Sequence, residues 1–245
     1  MKNAARVLSA VTLVLVSVTG HGAPAFLDLP KPVSPQEFEA VSSVFDPVQV
    51  FFIATASGSA VAFQLPDGQT ATPVFLDPVT AEQFRQEEQE SRAGDGELDW
   101  RIESMSLGGV YRYQVEQEAS PEPAALRFMV VPAQRHVDAA REISGDATFN
   151  SVPVFIARRS SGEAFTTNAR DGRQVIPLFL EADVLEATIS RLAQADAALA
   201  ADLAIEALPL EAVVSGLASG TLEADKVSFV VPTATIEYRQ AEKNR

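Results

Sequence analysis

Cysteine is absent from this 245-residue chain, and histidine occurs only twice. Without cysteine there is no disulfide framework, no thiolate-held zinc, no iron–sulfur cluster and no thiol nucleophile. Cations are also scarce: 19 Lys and Arg face 33 Asp and Glu, for a net charge of −14 and an isoelectric point near 4.5. That balance disfavours nucleic acid, whose binding draws on counterion release, and anionic lipid headgroups. Gly and Pro, at 13 and 15, stay near background usage, so collagen-like and low-complexity classes drop out. What is present is apolar material: 47% hydrophobic residues, 14 Phe and a mean hydropathy of +0.06. This supports one large core or two small ones and argues against disorder.

The first 25 residues read as a secretory leader. Lys2 and Arg6 precede an apolar run from Val7 to Val18, too short for the roughly 20 residues that span hydrocarbon. Ala23-Pro24-Ala25 offers small residues at −3 and −1, so cleavage is expected between Ala25 and Phe26. Gly22 is an alternative cut, Ala23 is disfavoured by Pro24, and an uncleaved anchor helix is the competing reading. Removal takes away two positive charges and no acid, moving the net charge from −14 to −16. A periplasmic location follows for a Gram-negative source.

The remainder carries an internal echo. Val48-Gln-Val-Phe-Phe52 recurs as Val152-Pro-Val-Phe-Ile156, an offset of 104 residues. The same offset carries Ser57-Gly58 onto Ser161-Gly162, Asp67-Gly68 onto Asp171-Gly172, and Pro73–Leu76 onto Pro177–Leu180. Ile102-Glu103 and Leu107 meet Ile205-Glu206 and Leu210 at 103, and Val130–Pro132 meets Val230–Pro232 at 100. The expectation is an α/β (α+β-like) fold of two tandem pseudo-symmetric units, 34–132 and 134–232, packed as one body. A leader segment, 26–33, precedes them and a polar, frayed tail, 239–245, follows.

Each unit reads as helix, three-stranded meander, helix, strand, short helix, strand. Ser34, Pro35 and Glu37 form a capping box for the first helix, whose apolar face is Phe38, Val41 and Phe45. The strand from about Val48 to Ala54 is apolar on both faces, as in a sheet covered on both sides. Ser-Gly and Asp-Gly pairs mark hairpin turns because Gly tolerates positive φ. Asp77-Pro78 opens a helix to about Arg92, and Trp100 to Met105 alternates as a strand. In the second unit, Leu185, Ile189, Leu192 and Leu199 mark a long helix between Glu181 and Ala200, followed by a strand from Leu203 to Leu208.

Val152–Phe155, Ser161-Gly162 and Ile176-Pro-Leu-Phe-Leu180, with Ser106-Leu-Gly-Gly-Val-Tyr111 after a strand, resemble the Tic-twenty-two-like (Tic22-like) family. Its members are chloroplast import components of the intermembrane space and bacterial periplasmic relatives. The resemblance covers nearly all of 34–232 and implies a duplicated, two-lobed α/β protein with exposed hydrophobic pockets and a chaperone-like role in transport. Gln49 departs from the proline expected in the first block, and a secretory leader stands where plastid members carry a transit peptide.

Chemistry-bearing motifs are sparse. After processing His136 is the one imidazole, on a helix from Gln134 to Ile143; a hydrolase would need Ser144, Ser160 or Ser161 beside it. Asp67, Asp77, Asp95 and Asp99 lack EF-hand spacing, and neither HExxH nor a phosphate-binding glycine loop occurs. Glu87, Glu88 and Glu90 read as a solvated helix face, Trp100 as packing, and Tyr111 and Tyr113 as a packed helix edge. Arg158-Arg159 reads as turn solvation, with an anionic contact as the alternative. The expectation is therefore a protein without catalytic, cofactor or metal residues. It is a periplasmic factor that binds unfolded or partly folded envelope proteins, neither nucleic acid nor membrane being a partner. A scaffold for one dedicated partner comes second and a His136 hydrolase third.

Overall fold

A computed structural model describes residues 12–13, 35–64, 70–92, 98–119, 127–169 and 171–243. The leader assignment, the Ala25–Phe26 cleavage site and the 26–33 segment lie outside these, apart from Thr12–Leu13. So do Ser34, Asp67 and Asp95. The chain forms two compact units: the first is 1–26, 49–133 and 233–245, the second 27–48 and 134–232.

Elements are numbered along the chain. In the first unit β2 (Gln49–Thr55) runs antiparallel to β5 (Trp100–Ser106) along its whole length, from Gln49 opposite Ser106 to Thr55 opposite Trp100. It also meets β4 (Thr70–Phe75) where Phe51 faces Phe75. β4 pairs antiparallel with β3 (Val61–Gln64) and parallel with β6 (Arg127–Val131). A two-residue β1 (Thr12–Leu13) lies parallel beside Val61 and Ala62. Helices α2 (Pro78–Ser91) and α3 (Leu107–Ala119) complete the links between strands.

Among the described residues the second unit repeats these pairings apart from that of β1. β7 (Pro153–Arg159) is antiparallel to β10 (Leu203–Pro209) and bridges to Phe179 through Phe155. β9 (Gln174–Leu178) is antiparallel to β8 (Thr167–Asn168) and parallel to β11 (Val227–Phe229). The helices are α4 (Gln134–Ser144), α5 (Ala182–Ala195), α6 (Ala197–Ala201) and α7 (Leu210–Ala218). Phe51, Phe75, Phe155 and Phe179 are all buried, and both faces of β2 are covered from Val50 to Ala54. The apolar runs of the sequence are thus two-faced strands.

The Ser-Gly turns match in detail. Gly58 donates to the Thr55 carbonyl at 2.8 Å while Thr55 N donates to Ser59 O at 2.9 Å; Gly162 to Arg159 and Arg159 to Glu163 repeat this at 2.8 Å each. Gly58 and Gly162 take φ of 84° and 87°, the left-handed region where a Cβ is costly.

Three boundaries depart from the sequence expectation. Helix α1 (Pro35–Phe45) belongs to the second unit, packing on α7 and β11 with the Phe45 ring 5.4 Å from Phe229. Conversely α8 (Thr233–Lys243) belongs to the first, so the units are not the segments 34–132 and 134–232. The 239–245 stretch is not a frayed tail through Lys243, because α8 is held in place. Tyr238 meets Phe51 edge-on at 4.8 Å, and Arg239 Nη2 donates to Gln49 Oε1 at 2.6 Å. Finally, the long second-unit helix is broken. Asp196 is extended (φ −148°, ψ 90°), its amide closing α5 on Leu192 O and its Oδ1 accepting from Leu199 N to start α6. An Asp side chain offers the backbone this alternative to continued helix.

Candidate polypeptide-binding groove

Corresponding positions in the two units carry side chains of different size. In the first unit Phe63 meets Phe84 and Trp100 edge-on, with ring centroids 5.3 and 6.2 Å apart. Arg92 caps the cluster 5.7 Å over the Trp100 ring. Aromatic edge contacts of this kind add to the burial gain, and the three rings fill the corner between α2, β3 and β5 where they meet.

In the second unit the register places smaller residues at all three points. Thr167 faces Val175 as Phe63 faces Ala71. Leu203 faces Arg159 as Trp100 faces Thr55. Thr188 follows the α5 cap Glu181 at the spacing by which Phe84 follows the α2 cap Asp77. Two threonines and a leucine cannot fill the volume of two phenylalanines and a tryptophan, and a groove of about 420 Å³ results. Its walls include Phe165, Phe179, Leu185, Ile189 and Leu192. Among the described residues no acid lines it, and its single charged group is Arg191. In an apolar groove, polar satisfaction matters: Thr188 Oγ1 donates to Val184 O at 2.7 Å, so its hydroxyl makes no demand on an occupant.

The first unit has a larger depression, about 870 Å³, between α2, β5 and α8, of a different character. Charged Glu82, Arg85, Arg101, Glu103 and Glu237 line it beside Trp100 and Tyr238. Glu82 is hydrogen-bonded and ion-paired to Arg85, and that bond holds its carboxyl below the usual range. Arg101 Nε is 2.8 Å from Glu103 Oε1. Hydrated charges on such a wall offer little to an apolar chain.

The residues singled out for chemistry are spread over both units. His136 is half-buried on α4. Ser144 Oγ donates to Ala140 O at 2.7 Å, Ser160 Oγ to the Asp202 carboxylate, and Ser161 is exposed. The two bonded hydroxyls thus serve a helix carbonyl and a carboxylate. Arg158 pairs with Glu206 across the β7–β10 ladder and Arg159 reaches Asp202 at 3.9 Å, so these cations stabilise strand pairing rather than merely solvating a turn. Asp77 caps α2, its Oδ1 accepting from Val79 N at 2.9 Å, and Asp99 is exposed. Among the described residues no group of three potential ligands could hold a metal ion. Glu88 lies 3.7 Å from Arg92 with both side chains largely covered, unlike the exposed Glu87 and Glu90.

Trp100 and Tyr111 are core residues, and the Tyr113 ring packs 5.4 Å from Phe128. Ser106 begins the Ser-Leu-Gly-Gly motif by accepting from Gly109 N at 3.0 Å, a helix cap for α3. Gln49, the departure from proline, holds α8 through Arg239. The groove itself escaped the sequence reading. The signal was available as Phe63, Phe84 and Trp100 set against Thr167, Thr188 and Leu203, but it requires aligning the echo beyond its apolar blocks.

Two solved structures share this fold. Tic22 from Anabaena, described as a protein-transport protein, is 17% identical with a TM-score of 0.66, covering 83% of this chain and 96% of its own. Tic22 from Plasmodium falciparum is 19% identical with the same TM-score, covering 83% and 97%. No curated protein matches the sequence. The Tic22-like family matches residues 10–242, nearly the full length, and the chain belongs to that family.

Proposed function

We propose that this protein is a non-catalytic, chaperone-like factor that binds unfolded or partly folded polypeptides during protein transport or envelope biogenesis. The observation that carries the reading is the apolar groove between α5 and the β8–β9 sheet, whose walls expose Phe165, Ile189 and Leu192 to an incoming chain. Apolar surface in a concavity is where binding energy is gained. Family membership and the fold shared with a transport protein of Anabaena support the transport setting. The leader, cut between Ala25 and Phe26, is the proposed route to the periplasm, and the net charge of −16 left after cleavage keeps such a carrier soluble. In this reading the grip is passive and release follows client folding.

Titration with an unfolded outer-membrane polypeptide at low and high salt tests this. Saturable binding that survives salt is expected, since screening acts within about 10 Å at 0.1 M and apolar burial does not depend on it. Absence of saturable binding removes the proposal. Binding of one native partner but no unfolded chain replaces it with a dedicated scaffold.

A further inference from the structure

Resting on that reading, we infer that the second-unit groove selects extended apolar segments that carry a carboxylate, and that Arg191 is the selecting residue. Among the described residues Arg191 is the only charged one lining the groove. Its Nε donates to Ala187 O and its Nη2 to Thr188 Oγ1, each at 3.3 Å, and it makes no ion pair among the described residues. The guanidinium is therefore steadied by its own helix, while Nη1 has no protein acceptor among the described residues. This is unusual company in a chain where acids outnumber cations 33 to 19. Arg158, Arg159 and Arg173 of the same unit all face carboxylates. A planar donor fork left open beside an apolar wall matches a carboxylate attached to an apolar body.

The extended form of the occupant follows from β8. It is the end strand of the order β11-β9-β8, and both its residues, Thr167 and Asn168, are exposed. Thr167 also lines the groove. A segment laid along β8 gains backbone hydrogen bonds and sends alternate side chains one way, over Phe165, Ile189 and Leu192. A carboxylate on that segment meets Arg191 at the α5 wall.

The experiment measures fluorescence anisotropy on the full protein with labelled peptides of alternating valine and threonine that differ at one position, aspartate, asparagine or lysine. The net charge alone ranks lysine tightest and aspartate weakest. Recognition by Arg191 reverses this, with aspartate favoured over asparagine by about threefold, the scale of an exposed ion pair. Arg191→Gln is expected to erase the preference of aspartate over asparagine, and raised salt to narrow it. Wild-type protein that ranks lysine first, or treats aspartate and asparagine alike, overturns the inference. Thr188→Phe, which installs the residue found at the corresponding first-unit position, separates the two levels. If it abolishes binding of all three peptides while the Asp and Asn affinities of wild type are equal, the groove stands and Arg191 selection falls. If it binds all three as wild type does, the groove is not the site and both readings fall.

Discussion

The two units use one set of strand pairings and differ in what fills the space between the second helix and the sheet. The first closes it with Phe63, Phe84 and Trp100; the second puts Thr167, Thr188 and Leu203 there and leaves a groove. The helices differ in parallel. α2 is capped by the Asp77 carboxylate and runs unbroken to Ser91, whereas α5 begins at Glu181 without a side-chain cap and gives way to α6 at Asp196. At these three positions one unit is packed with aromatic rings and the other is grooved. A single architecture thus takes two forms by side-chain volume at a few positions.

The sharpest test of that contrast is deletion of matched phenylalanines. Phe75 is buried and flanked by Phe84 at 5.2 Å; Phe179 is equally buried but lines the groove. Phe75→Ala is expected to cost about 3–5 kcal/mol. Phe179→Ala is expected to fall near ~3 kcal/mol, because walls that border a groove can relax around the deletion. Denaturant unfolding of the two variants measures both. Equal costs show that the groove is closed in solution.

Exchanging the filling residues comes next in size. Thr188→Phe places an aromatic ring where the walls are apolar and is expected to stabilise the protein by up to about 1 kcal/mol while blocking polypeptide binding. Phe84→Thr is expected to cost about 2–3 kcal/mol by opening the first-unit cluster. Thermal melts read the stabilities, and peptide binding to Phe84→Thr asks whether an opened first unit becomes a second contact site.

Much of this architecture can be read along the chain, and the limits have physical causes. Ser57-Gly58 and Ser161-Gly162 announce hairpins because their geometry is settled within a few residues and needs left-handed glycine. The β2 and β7 runs announce two-faced burial because five consecutive positions in each, 50–54 and 153–157, are apolar. Allocation of α1 and α8 to the opposite units is not legible, since it depends on contacts such as Phe51–Tyr238, far apart in sequence. Asp196 looks innocuous inside the apolar stripe from Leu185 to Leu199, yet its carboxylate ends one helix and starts the next. The groove is an absence of volume at three positions on three different elements, which no local pattern reports.

The smallest effect separates the caps. Asp77→Ala removes the acceptor for Val79 N and Thr80 Oγ1, and is expected to cost about 1 kcal/mol. Glu181→Ala removes no side-chain capping bond, so that capping cost is absent there.

An acid titration makes the last comparison, between Glu82 in the first unit and Asp202 in the second. Both carboxyls lie below their ordinary values, Glu82 chiefly through its hydrogen bond from Arg85 and Asp202 chiefly through the bond from Ser160. A carboxyl with a depressed folded-state pKa binds fewer protons when folded than when unfolded. Its stabilisation is therefore complete above the unfolded value and disappears as pH falls through the folded one. Both groups are accordingly expected to contribute at neutral pH and to lose that contribution only below the ordinary carboxylate range. Asp202 is half-buried at the surface and screened by solvent, so its share is small. Ser160→Ala is expected to return the Asp202 carboxyl upward, and Arg85→Gln to do the same for Glu82. Carboxyl NMR shifts recorded down the acid range follow each group separately. If Ser160→Ala leaves Asp202 unmoved, the Ser160–Asp202 bond does not persist in solution. The turn after β7 would then be held by the Ser160 N–Asp202 O hydrogen bond, at 3.0 Å, in place of its side chains.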